Sequence, residues 1–175
     1  MIQLRQSLVK RWDLLALVAV MSIAVSVRVY ALEQVPPGVQ YDTASNGVHA
    51  LNILFNGERP LFINYMGAPE PLIVYLQAFT VWLFGASIFA LRLTTGLGGA
   101  FSVLALYACA NESVQDRRVA LVAAFALAVS APLVDISRLG LRFALVPLFE
   151  SALFYFAWRG WRDGAWRDFI LAGIV

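Results

Sequence analysis

Residues 14–32 read LLALVAVMSIAVSVRVYAL, an apolar run interrupted by a single charge, Arg28. A helix needs about 20 apolar residues to span a hydrocarbon core of roughly 30 Å, with about 17 as a practical minimum. This run is long enough. Five more follow it: Pro71 to Phe84, Ile88 to Ala110, Val119 to Val134, Phe143 to Trp158, and a last one starting at Phe169. The run from Ile88 also qualifies outright, while those from Val119 and Phe143 are near the limit. Short clusters between the runs hold nearly all the charges. Over the whole chain 61% of residues are hydrophobic and 14% charged, against roughly 45–50% and about 25% in soluble domains. A soluble domain of this size could not hide so much apolar surface. The expected fold is therefore all-α, a polytopic transmembrane helix bundle in which residues 1–175 form one domain. The last run stops after seven residues, at Val175, with no polar flank, so the chain is expected to be the amino-terminal part of a longer protein.

Arg5, Lys10 and Arg11 precede the first run, which predicts a cytoplasmic amino terminus and puts the loop 33–70 on the opposite face. Val29-Tyr30-Ala31 has the form of a signal-peptidase site. Arg28 beside it argues instead for an uncleaved anchor whose arginine snorkels to the far interface. Pro36-Pro37-Gly38 ends the first helix. Beyond it, from Thr43 to Asn56, Ala44, Val48, Leu51 and Phe55 recur at spacings of four, three and four, with Ser45, Asn46, His49, Asn52 and Asn56 on the other side. This pattern predicts an amphipathic helix lying along the membrane surface and closed by Gly57 in a left-handed conformation. Asp42 stands at its start, either as an N-cap or as a reactive carboxylate at the water boundary. His49 reads as a solvated surface residue. Cys109, the sole cysteine, lies within an apolar run and reads as a core residue, and no zinc-ligand spacing is present.

Charge counting bears on the topology. If all five complete runs cross, Arg5, Lys10, Arg11, Arg92, Arg138 and Arg142 face Arg59, Arg117, Arg118, Arg159, Arg162 and Arg167, six against six. If Pro71 to Phe84 enters without crossing, the amino-terminal side gains Arg117, Arg118, Arg159, Arg162 and Arg167 and loses Arg92, Arg138 and Arg142, giving eight against four, as the positive-inside rule requires. The expectation is a partial or re-entrant second run, with Trp158, Trp161 and Trp166 marking the cytoplasmic interface.

Three segments in order, VPPGVQYDTASNGVHALNILFNGERPLF (35–62), GAPEPLIVYLQAFTVWLFGASIFALRLTTGLGG (67–99) and SAPLVDISRLGLRFALVPLF (130–149), resemble membrane glycosyltransferases that take sugar from a polyprenyl phosphate. These form the dolichyl-phosphate-mannose protein mannosyltransferase superfamily, which includes the lipid A aminoarabinose transferases. The likeness covers residues 25–160. It implies a C-type glycosyltransferase fold in the inner cell membrane, working on the extracytoplasmic face, with an acid pair at the start of a juxtamembrane helix. Asp42 matches the first acid, but Thr43 stands where the family has glutamate. Some relatives also carry a lysine just before the Pro-Leu element, where this chain has Pro69 and Glu70. The implied partners are a polyprenyl-phosphate-linked sugar, a lipid, glycan or protein acceptor, and membrane lipids, with no nucleic acid. No cofactor is obligatory, and a divalent metal at Asp42 would be weakly held by so few carboxylates.

An inverting transfer needs a base for the acceptor hydroxyl and cations for the departing phosphate. Asp42 is the candidate catalytic base. Arg92, Arg138 and Arg142, at helix ends, are the candidates for holding the donor phosphate, because guanidinium binds phosphate through two parallel bonds. Glu150, in the middle of the fifth run, is expected to face the bundle interior, as a structural partner or a second acid. Two other readings stay open: a noncatalytic relative lacking the second acid, and a transporter or channel subunit, for which no internal repeat is visible.

Overall fold

The computed structural model describes the backbone of residues 2–63 and 71–175, with side chains from Trp12 onward. The side chains of Arg5, Lys10 and Arg11, and the whole of Pro69 and Glu70, lie outside the described residues. Those described form helices and connecting turns without strands: α1 (Ile2–Val29), α2 (Tyr41–Phe55), α3 (Leu72–Phe84), α4 (Ile88–Val114), α5 (Arg117–Val129), α6 (Ala131–Arg138), a 3-10 turn (Arg142–Leu145), α7 (Val146–Asp163) and α8 (Trp166–Ile174). The protein is an all-α membrane helix bundle. Trp12–Val29 and Ile88–Val114 are each long and apolar enough to cross a membrane, and α5 and α6 reach that length only together, across a bend of 54°.

Local chemistry sets the boundaries. Ser87 caps α4, its Oγ accepting from the Ala90 N–H at 3.1 Å, and Asp116 caps α5 by accepting from the Arg118 N–H at 2.8 Å. The run Val119 to Val134, read as one span, breaks at Ser130 because Pro132 follows and supplies no N–H to continue the ladder. The run from Phe143 likewise opens with a 3-10 turn before α7. Gly57, with φ of +70°, closes α2 as the sequence predicts.

Small residues let the long helices approach. Val20 and Ala24 of α1, Ala100 and Val103 of α4, and Ala124 and Ala128 of α5 form one buried cluster. The α1 backbone at Arg28 passes close to Gly96, while the Ser137 and Arg28 side chains lie against Gly99. Arg28 thus meets the upper part of α4 and Val20 its middle, so α1 and α4 are antiparallel. We call the end where α1 finishes the upper end. At the lower end Asp13 pairs with Arg117 (3.3 Å), Glu112 with Arg162 (2.6 Å) and Arg159 with Asp168 (3.7 Å). These pairs put the start of α5 and the end of α7 at about the level of Asp13 in α1. α7 descends beside α4, from Leu145 packed on Gly98 to Arg162 at Glu112.

Helix α3 behaves differently. At 13 residues it is about 20 Å long. Its side-chain hydrogen bonds to α4 reach only Leu91 and Thr94, in the first two turns. Its other face packs on Ala50, Ile53 and Ile63 of the α2 region. It is thus shorter than a full span and meets α4 near that helix's start, while Arg117 lies at the lower end beside Asp13 and Arg138 at the upper end beside Val27. With a cytoplasmic amino terminus, an impermeant thiol reagent applied outside is expected to label Asp135→Cys and spare Gln115→Cys, in a Cys109→Ser background. The reverse pattern would invert the topology.

Candidate functional site

The upper end collects the residues singled out in the sequence. Gln40, in extended conformation and without a side-chain cap, is the N-cap of α2. Asp42 is therefore no N-cap. It sits inside the first turn, exposed, and makes no hydrogen bond or ion pair among the described residues. That leaves its carboxylate open to a ligand.

Its neighbour has the opposite fate. The Thr43 side chain is fully buried, and its Oγ1 donates to the Leu139 carbonyl at 2.7 Å. Its methyl faces Gly140, whose φ of +83° suits glycine, and a Cβ there would lie 2.7 Å from Thr43 Cγ2. A glutamate at position 43 would have no room and no counter-charge. Thr43→Glu is accordingly expected to prevent accumulation of folded protein. Thr43→Val, which strands one carbonyl, should cost about 1–3 kcal/mol. Yield and thermal melting in detergent check both, and a well-folded Thr43→Glu protein would overturn the packing argument.

Helix α2 has three faces where the sequence suggests two. Ala44, Val48 and Phe55 point outward and His49 and Asn52 are half-buried, while Thr43, Gly47, Ala50 and Ile53 pack into the bundle. The inward face is small and partly polar, so a hydrophobicity pattern does not reveal it.

The arginines are placed as follows. Arg92 is buried; its Nη1 donates to the carbonyls of Leu32 (3.0 Å) and Pro36 (2.9 Å), and its Nη2 to that of Gly38. Arg138, also buried, donates from Nη1 to Val27 (2.7 Å) and from Nη2 to Tyr30 and Val35 (2.9 Å each). Arg142 is only half-buried, with its guanidinium 5.2 Å from the centre of the Phe143 ring. Beside it lies a cavity of about 80 Å³ walled by Leu72, Ile73, Leu145, Val146 and Phe149. Because Thr43 touches Gly140, Asp42 and Arg142 each lie within two residues of one contact.

Two expectations need correction. Glu150 does not face the interior: Ser151 takes the inward position on α7, and Glu150, about 100° around the helix, is exposed. Arg28 does not snorkel. It is buried, and donates from Nη1 to Ala24 (3.1 Å) and Ala128 (2.9 Å) and from Nη2 to Leu127 (3.2 Å). The signal for this was Pro132, four residues beyond Ala128, which leaves that carbonyl without its helical donor. Gln77, likewise missed, bridges Leu91 and Gly140 from within α3. Among the described residues no group of three or more His, Cys, Asp or Glu side chains could hold a metal ion. A larger open groove of about 590 Å³, lined by Leu17, Val18, Met21, Ser22, Val25, Ser26 and Leu104, is mostly apolar.

A family model described as dolichyl-phosphate-mannose-protein mannosyltransferase matches residues 68–175. The match takes in α3 to α8 with Arg92, Arg138 and Arg142, and begins after α2 and Asp42. No curated protein and no solved structure matches the chain.

Proposed function

The chain belongs to the dolichyl-phosphate-mannose-protein mannosyltransferase family, a family of membrane glycosyltransferases, and on that premise we propose that it transfers a sugar from a polyprenyl phosphate to an acceptor hydroxyl at the upper, extracytoplasmic face. Asp42 acts as the base. As the acceptor oxygen attacks the anomeric carbon, its proton passes to the Asp42 carboxylate. The bond from that carbon to the phosphate oxygen breaks, and the polyprenyl phosphate leaves with the electron pair. Arg142 meets the negative charge that builds on the phosphate. Its neighbouring cavity has apolar walls with a cation at the rim, which suits the junction of a phosphate and an isoprenoid tail. The observation that carries this reading is the exposed, unpaired Asp42 carboxylate at the same end of the bundle as Arg142.

The test is transfer of radiolabelled mannose from a short-chain polyprenyl phosphate by the purified chain in lipid nanodiscs, against Arg142→Gln. Removing a charge that acts on the departing phosphate is expected to lower turnover about 10²-fold or more. Equal rates would remove Arg142 from the mechanism. The burial of Thr43 favours a second reading, a noncatalytic member of the family, since the second acid is missing and its position is filled. Donor binding without transfer or hydrolysis would support that reading.

A further inference from the structure

We infer that Arg92 and Arg138 are positioning residues, which hold the segment between α1 and α2 so that Asp42 is presented at the upper face, and that neither holds the donor phosphate. The inference rests on the reading of Asp42 as base. Both guanidiniums are buried, at 1% and 8% exposure, and neither forms an ion pair with a carboxylate among the described residues. Between them they serve six carbonyls, those of Val27, Tyr30, Leu32, Val35, Pro36 and Gly38.

These carbonyls need outside donors for a reason written in the chain. The last carbonyls of a helix have no partner within it, which covers Val27 at the end of α1. The natural partner of Leu32, four residues on, is Pro36, which has no N–H. The three carbonyl oxygens held by Arg92 thus lie around a turn that cannot satisfy itself, and Arg138 fixes the path leading into it. Buried backbone oxygens left without donors cost about 1–3 kcal/mol each, so the segment has a strong preference for this one course.

The two clamps bracket the carboxylate. Gly38, held by Arg92, precedes Asp42 by four residues. Thr43, directly after Asp42, is tied to the carbonyl of Leu139, the residue following Arg138. Asp42 therefore rides on a short span fixed at both ends to α4 and α6. A displacement of about 1 Å in a reacting group can cost about 10²-fold in rate.

A phosphate ligand and a positioning residue respond differently to substitution. Arg92→Lys and Arg138→Lys keep the charge but lose the planar fork that reaches several carbonyls. With mannosyl-phosphoryl polyprenol as donor, each is expected to lower kcat by about 10²-fold while the donor KM stays within about threefold. Arg92→Gln, which keeps two N–H donors without charge, should retain at least as much activity as Arg92→Lys. A nitroxide label at Val39→Cys, in a Cys109→Ser background, should become more mobile in all of them. A raised donor KM with unchanged kcat and unchanged label mobility would show that these arginines hold phosphate and overturn the inference, as would a label that stays immobile while kcat falls. If the parent chain shows no transfer, the catalytic reading fails on its own, and label mobility still decides whether the clamp exists. Should the lysine variants not fold, the label at Val39→Cys in Arg92→Gln and Arg138→Gln decides: increased mobility supports the clamp, and an immobile label overturns it.

Discussion

Turnover of Asp42→Asn is expected to fall by about 10²- to 10⁴-fold, the usual contribution of a general base in place, with little change in stability. Asparagine keeps the shape of the side chain but has no basicity near neutral pH, so the proton of the acceptor hydroxyl has nowhere to go. The carboxylate is exposed and makes no hydrogen bond or ion pair among the described residues, so no packing is lost. The stability effect is confined to the loss of a negative charge in the first turn of α2, about 0.3–1 kcal/mol. Initial rates and melting curves on the same samples separate the two. A rate within about twofold of the parent, under about 0.5 kcal/mol of barrier, would take Asp42 out of the mechanism.

The second large effect is structural. Arg28→Met should destabilise the bundle by about 1–3 kcal/mol, because the buried Ala128 carbonyl loses its side-chain donor while that of Leu127, half-buried, keeps the Ser130 N–H at 3.4 Å. The third acceptor, Ala24, lies within α1 and keeps its helical partner. Methionine fills much of the same space, so the loss is chiefly of hydrogen bonds rather than of volume. The mechanism makes a further demand: Pro132→Ala gives Ala128 an N–H four residues on, so it should offset part of the damage in Arg28→Met. Thermal melting in detergent over the four members of this double-mutant cycle measures the coupling. An unchanged midpoint in Arg28→Met, or independent effects of the two substitutions, would mean that the arginine is not standing in for the proline.

Glu150 shows how far pattern reading goes. A carboxylate in an apolar run suggests an inward position because exposure to lipid is costly, yet rotation about α7 is set by which residues let it approach α4. Ser151 is buried in the bundle, and Glu150, about 100° around the helix from it, is exposed. Thr43 gives the converse lesson. Against the family pattern it looks like a missing acid, and in the fold it is a buried tether whose hydroxyl holds the turn after α6.

The sequence by itself determined the membrane bundle, its two long spans, the helix that follows Pro36-Pro37-Gly38 and its glycine stop. These follow from composition, run length and local turn chemistry, which act over a few residues and need no knowledge of neighbours. It also pointed to the short second run, which has too few apolar residues for a full span. Only the tertiary structure decided what the arginines do. Arg28, Arg92 and Arg138 find carbonyl partners up to about 110 residues away in the chain. A backbone oxygen carries no mark in the residue letters when prolines or helix ends leave it unpaired. The guanidinium is the same group whether it meets a phosphate or a carbonyl, and the geometry of packing selects between them.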